Sequence, residues 1–194
     1  MITSALLSVV ALIALAPLAI VFAASSHGSR VTYGASLIVC LILLAIALLA
    51  LLGPPGSTAA TLPLGLPWLG AHFSIDALTA FFLAVVNLGG AAASLFALGY
   101  GRHEDAPGRV LPFYPAYLAA MNLVLLASDA FSFLVSWEFM SLTSWALVVA
   151  HHRDSENLRA GYIYLLMASF GTLALLFSFG LLAGAEGNYT FDAI

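Results

Sequence analysis

Glu138 is the residue of this chain whose type and position most clearly indicate chemistry. It is the only ionisable residue in the 21-residue run from Ala130 to Ala150, which is otherwise apolar apart from a few Ser and Thr. As a helix this run crosses a bilayer, and Glu138 lies about 12 Å from its first residue, close to the middle. A charged carboxylate costs at least about 2.5–3.5 kcal/mol at such a depth, so an acid there is expected to be functional. Because the membrane tolerates its neutral form far better, the chemistry expected of Glu138 is proton transfer.

Two polar side chains of the same run share the helical face of Glu138. Ser141 and Trp145 lie three and seven residues further on, and each has one hydrogen-bond donor that could orient the carboxyl. Neither can neutralise its charge, and none of the apolar runs offers Lys or Arg at mid-membrane depth. The alternative is that Glu138 only hydrogen-bonds a neighbouring helix, as a structural residue.

The last apolar run carries three hydroxyl groups and a pair of glycines. Tyr162, Ser169 and Thr172 are separated by seven and three residues, which places them on one face of a helix. They are candidates to support proton movement by ordering water, although Ser and Thr also commonly hold membrane helices together. Gly180 and Gly184 have the spacing that is typical of close helix packing.

Six apolar runs must position these residues, and each is long enough to cross a bilayer. They are residues 4–24, 31–52, 76–99, 111–128, 130–150 and 158–183. The chain is therefore predicted to be an all-α, multi-pass transmembrane helical bundle. We divide it into residues 1–128, with four spans, and residues 129–194, with two. The connection 53–75 is rich in Gly and Pro, which favours a short hairpin with Trp68 at the membrane interface.

The arginines give this bundle an orientation. All five lie in or beside the connections after the first, third and fifth spans: Arg30, Arg102, Arg109, Arg153 and Arg159. The positive-inside rule makes those connections cytoplasmic, so both termini are expected on the outer face of the cell (inner) membrane. Between spans four and five, a very tight turn is expected at Ser128 and Asp129.

Isolated polar residues near and within the spans have simpler interpretations. Asp76 and Asp129 each stand where a span begins, and an acid is favourable at a helix N-terminus. Asn87 and Asn122 are each the only amide of their span, and we interpret both as interhelical hydrogen-bonding residues.

Composition excludes several classes of function. The chain is 63% hydrophobic and 7% charged, with a mean hydropathy of +1.09, which is typical of an integral membrane protein. A net charge of −4 and the absence of Lys argue against nucleic-acid binding. With a single cysteine, Cys40, and no phosphate-binding or dinucleotide motif, no cofactor or metal ion is expected. The residues show no catalytic chemistry beyond proton movement.

Several segments of the sequence resemble those of a known family. The segment 129–145, with its Trp137-Glu138 pair, and the segment 156–165 resemble the proton-translocating antiporter-like subunits of respiratory complex I, Mrp-type antiporters and membrane-bound hydrogenases. The segment 73–82 is similar to the third helix of that family. Residues 121–124, 150–153 and 166–173 resemble the hydrogenase-4 component B branch in particular. Thr172 stands where the large complex I subunits tend to carry an acid.

The resemblance implies a function for Glu138 and a context for the chain. Glu138 matches the carboxyl of a half-channel whose protonation is coupled to a lysine on the seventh helix and which moves H+ or, as the alternative, Na+. This chain has no lysine and ends after its sixth span, so we expect it to be the N-terminal part of such a subunit. Its expected partners are the lipid bilayer and other membrane subunits of a hydrogenase-like or complex I-like oxidoreductase. The alternative is a structural or assembly module that conducts no ions.

Overall fold

The computed structural model describes residues 1–23, 25, 27–54, 56–65, 70–101, 107–151, 155–184 and 189–194. These residues form a helical bundle with one two-stranded hairpin. In chain order the elements are α1 Ile2–Phe22, α2 Gly28–Leu52, β1 Thr58–Leu62, β2 Ala71–Ile75, α3 Ala77–Tyr100, α4 Pro107–Val110, α5 Phe113–Leu126, α6 Ala130–Val148, a 3-10 turn Val149–His151 and α7 Ser155–Ala183.

Six segments of the described chain are long and apolar enough to cross a membrane, which confirms the predicted fold class. Five are α1, α2, α3, α6 and α7, and the other joins α4 and α5 as Pro107–Leu126. This fourth span begins four residues earlier than predicted, because α4 adds a turn before Pro112. The hairpin between α2 and α3 is also confirmed. Trp68, Arg102 and Arg153 lie outside the described residues.

The helices pack side by side in the order α3, α2, α1, α5, α6, α7, and α3 also contacts α5. The fully buried core lies between the first three of these helices and includes Leu12, Leu43 and Leu83. Large apolar side chains cover the outside of the bundle, as expected for a surface that faces lipid. Because α1 contacts both α2 and α5, the helices form one bundle, and the division at residue 128 stays a prediction.

One end of the bundle is closed by paired backbone segments, which we call the cap: β1, β2, residues 127–129 and residues 189–191. β2 pairs with β1 on one edge and forms a bridge between Phe73 and Ala127 on the other. A further bridge joins Asp129 to Thr190. The junction between α5 and α6 is therefore an extended segment and not the tight turn that we predicted. Its backbone groups are satisfied by the hairpin and by the last residues of the chain.

Buried amides join α3 to α5, as predicted. Asn87 donates to the Asn122 side-chain oxygen at 2.7 Å, and Asn122 donates in return at 3.4 Å. Each amide also donates to the carbonyl four residues before it, on Leu83 and Leu118. All four bonds lie away from solvent, so this pair satisfies polar groups that the bilayer could not.

Candidate functional site

The position of Glu138 follows from where α6 begins. The Asp129 side chain caps this helix by accepting a hydrogen bond from the Ser132 backbone N–H at 2.7 Å. Glu138 lies nine residues later, near the middle of the 19-residue helix. It is half-buried between α6 and α7. The cap therefore fixes the level of the carboxyl relative to the ends of the bundle.

A hydroxyl of α7 contacts the carboxyl directly. Thr172 Oγ1 donates a hydrogen bond to Glu138 Oε1. Thr172 Oγ1 also lies 3.2 Å from the carbonyl oxygen of Ala168. A hydroxyl has one proton and two acceptor lone pairs, so it cannot donate in both directions at once. When Glu138 is ionised, Thr172 can donate to it. When Glu138 is protonated, it can donate to Thr172, whose own proton can then turn to Ala168.

The other predicted supporting residues do not contact Glu138 through any hydrogen bond that the structure describes. Ser141 is buried and Trp145 is half-buried, with its indole directed at Gly161 of α7. Tyr162 and Ser169 are exposed on the outer surface of α7. At about 100° per residue, the positions of Tyr162 and Thr172 differ by about 80° around the helix. Only Thr172 of that group therefore turns towards α6.

Two cavities flank the contact between α6 and α7. The larger, about 430 Å³, is lined by Trp137, Met140, Ser141, Tyr164, Met167, Ala168, Gly171 and Leu175. Hydroxyl groups are present there only on Ser141 and Tyr164. The smaller, about 250 Å³, lies nearer the cap and includes Phe131 and Tyr189. Both walls are largely apolar, so they suit acyl chains or apolar side chains better than a file of water.

Charged side chains stand far from Glu138 in the described part of the chain. The arginines described there are Arg30, Arg109 and Arg159, near the starts of α2, α4 and α7, at the end opposite the cap. One of them, Arg109, reaches the Ala150 carbonyl at 3.5 Å. Within the described ranges, no three His, Cys, Asp or Glu residues are close enough together to hold a metal ion.

Comparisons with known proteins agree with this architecture. Residues 127–194 match the family described as NADH:quinone oxidoreductase/Mrp antiporter, transmembrane. An uncharacterized protein of Mycobacterium tuberculosis is 35% identical over 130 residues, which are 66% of this chain and 20% of that protein. Hydrogenase-4 component B of Escherichia coli is 33% identical over 119 residues, which are 60% of this chain and 18% of that protein. The chain thus spans about a fifth of the length of these curated relatives.

Solved structures share the fold. A membrane-bound sulfane sulfur reductase, an archaeal respiratory membrane complex, contains a chain that superposes with a TM-score of 0.78 at 20% identity, covering 95% of this chain and 28% of that one. The Mrp complex from Dietzia gives a TM-score of 0.76 at 23% identity, covering 97% and 20%. At these identities the similarity concerns the fold alone.

Proposed function

We propose that this chain forms part of an ion-translocating membrane subunit in which Glu138 carries a proton within the membrane, since residues 127–194 match the NADH:quinone oxidoreductase/Mrp antiporter family. The observation that carries this proposal is the hydrogen bond between Thr172 and Glu138, in the middle of two apolar spans. A neutral hydroxyl partner can serve the carboxyl in both of its protonation states. Such a partner allows the acid to gain and lose a proton without breaking the contact.

The transported ion is H+ in this proposal, with Na+ as the alternative. The partners are other membrane subunits of a hydrogenase-like or complex I-like assembly, whose redox chemistry drives transport. This assignment is supported by the relatives, which include hydrogenase-4 component B and an NADH-quinone oxidoreductase subunit N. The proposed location is the cell membrane, with the arginine-bearing end of the bundle in the cytoplasm and the cap outside.

The test is Glu138→Gln in the full-length subunit within its native complex. The amide keeps the size and the hydrogen-bonding capacity of the side chain but cannot exchange a proton. We expect redox-driven proton uptake into inverted membrane vesicles to fall to the background rate, while the variant assembles normally. Uptake is measured with a pH-sensitive dye, with and without Na+, so that H+ and Na+ transport are separated. Glu156→Gln, an identical change at an exposed position in the first turn of α7, is the matched control and is expected to pump normally.

A structural or assembly module is the second candidate function. This function is favoured by the hydrogen bond that Glu138 already accepts from Thr172. A carboxyl with such a donor can join two helices without taking part in transport. Normal proton uptake by an assembled Glu138→Gln complex would support this second function and contradict the first.

A further inference from the structure

A tight contact of α7 with the end of α6 lies at a glycine near the arginine-bearing end. Gly161 is one of two buried residues of α7, the other being Ala183. A Cβ atom on Gly161 would lie 2.3 Å from Val149 Cγ1 and 3.4 Å from Trp145 Nε1. Real carbon atoms do not approach to 2.3 Å, and the β-branched Val149 side chain is restricted in its rotation. No other residue type would let the helices stand this close.

The other glycines of α7 differ from Gly161. A Cβ atom on Gly171 or on Gly180 would meet no atom of the described residues within 4 Å. At its cap end, α7 is held by aromatic packing, since the Phe179 ring lies 6.0 Å from Phe133 and 5.8 Å from Phe191. Thr172 lies between these two attachments of α7.

The distances determine how strongly a side chain at position 161 would affect Glu138. To bring a new Cβ atom to ordinary contact, α7 must move away by more than 1 Å at position 161. If the helix turns about Phe179, which is 18 residues from Gly161 and seven from Thr172, the shift at Thr172 is about 0.5 Å. Ordinary O–H···O distances span about 0.5 Å, so a shift of this size lengthens the hydrogen bond between Thr172 and Glu138 by an amount that spectroscopy can detect.

We propose that Gly161 is a positioning residue, whose missing side chain sets the spacing of α7 on α6 and thereby the length of the hydrogen bond between Thr172 and Glu138. Trp145 then contributes to the site by forming one wall of the Gly161 contact, and not by orienting the carboxyl. The inference rests on the proposed function only in regarding Glu138 as the site of interest. The spacing itself does not depend on whether ions move.

The experiment measures the C=O stretching band of the protonated Glu138 by infrared difference spectroscopy between acidic and alkaline medium, on the full-length protein in its membrane. Glu138→Gln identifies the band by removing it. Thr172→Val provides the position of the band without the hydrogen bond. We expect Gly161→Ala to shift the band towards that position and Val149→Ala/Gly161→Ala to return it to the wild-type position. Gly171→Ala, the same change in open space on the same helix, is expected to leave the band unshifted.

A wild-type band in Gly161→Ala, or a shift that Val149→Ala does not reverse, would overturn the inference. If Gly161→Ala does not accumulate in the membrane, Val149→Ile enlarges the same contact from the residue that follows α6, and a wild-type band there overturns it equally. Proton uptake is measured separately on the same membranes. Normal uptake in Glu138→Gln together with the expected band shifts would reject the proposed function and leave the role of Gly161 standing.

Discussion

A hydroxyl and a cation make different partners for a carboxyl inside a membrane. A cation would stabilise the ionised form of Glu138 and hold it there, whereas Thr172 can donate to the carboxylate or accept from the carboxylic acid. The Ala168 carbonyl receives the hydroxyl proton in the second case. The contact with Thr172 is thus compatible with the reversible protonation that we propose for Glu138. Tyr162 and Ser169, the other hydroxyls that the sequence suggested, are exposed on α7 and make no described hydrogen bond to Glu138.

The amide pair Asn87 and Asn122 allows a prediction at the residue scale. Asn87→Leu leaves the Asn122 amide without its partner away from solvent, so we expect the protein to lose about 1–2 kcal/mol of stability in detergent micelles. Asn87→Leu/Asn122→Leu removes both polar groups and is expected to recover most of that loss. Thermal unfolding of the purified protein measures both changes. Ser8→Ala, at an exposed hydroxyl bonded to its own helix, is the control; equal losses in the single and double Asn variants would contradict the prediction.

At the scale of elements, hydropathy predicted the helices well and the junctions poorly. All six spans were recognisable from apolar length, because a bilayer leaves little choice of structure to a run of some 20 apolar residues. The extended junction at Ser128 and Asp129 was not, since its geometry depends on backbone bonds to segments that are distant in sequence. Local sequence indicated an N-cap at Asp129, and this is confirmed. Nothing in the local sequence indicated that the Asp129 carboxylate also accepts a hydrogen bond from the hairpin.

The glycine contacts of α7 were also poorly predicted from the sequence. The spacing of Gly180 and Gly184 predicted a close helix contact, but neither has an atom of the described residues within 4 Å of its Cβ position. Gly161 makes the close contact instead. A spacing rule detects pairs of small residues on one helix, whereas Gly161 is complementary to Trp145 of α6 and to Val149, which follows that helix. A contact of this kind, between two elements, cannot be predicted from the residue spacing within one helix.

Asp129 supports a prediction about how the cap is held to α6. Its carboxylate is fully buried and accepts one bond from the Ser132 N–H and one from the His72 N–H, each at 2.7 Å. Asn retains one oxygen for the helix but presents an N–H₂ group to the other donor. We therefore expect Asp129→Asn to cost about 1.5–3 kcal/mol and to release the hairpin locally. Hydrogen exchange at the His72 amide measures the release.

The control for this change is Asp76→Asn. Asp76 is the exposed N-cap of α3, and its side chain accepts one bond, from the Thr79 N–H. Asn is as good an N-cap as Asp, so this variant is expected to remain close to wild type. Unchanged exchange at His72 in Asp129→Asn would show that the hairpin is held by its backbone pairing alone.

At the scale of the whole molecule, the two ends of the bundle carry opposite charges in the described residues. Arg30, Arg109 and Arg159 stand at one end together with one acid, Glu156, whereas Asp76, Asp129 and Asp192 stand at the other end. Because consecutive spans run antiparallel, arginines beside alternate connections of the sequence all lie at the same end of the bundle. Since Lys and Arg are retained on the cytoplasmic side during insertion, this asymmetry predicts the orientation of the whole bundle.

Cysteine labelling tests that orientation with little background, because the single native cysteine, Cys40, is buried. Ser57→Cys places a thiol in the exposed connection before β1, and Ser155→Cys places one at the exposed start of α7, at the opposite end. With a membrane-impermeant maleimide on intact cells, we expect labelling of Ser57→Cys at once and of Ser155→Cys only after permeabilisation. The reverse result would place the cap in the cytoplasm.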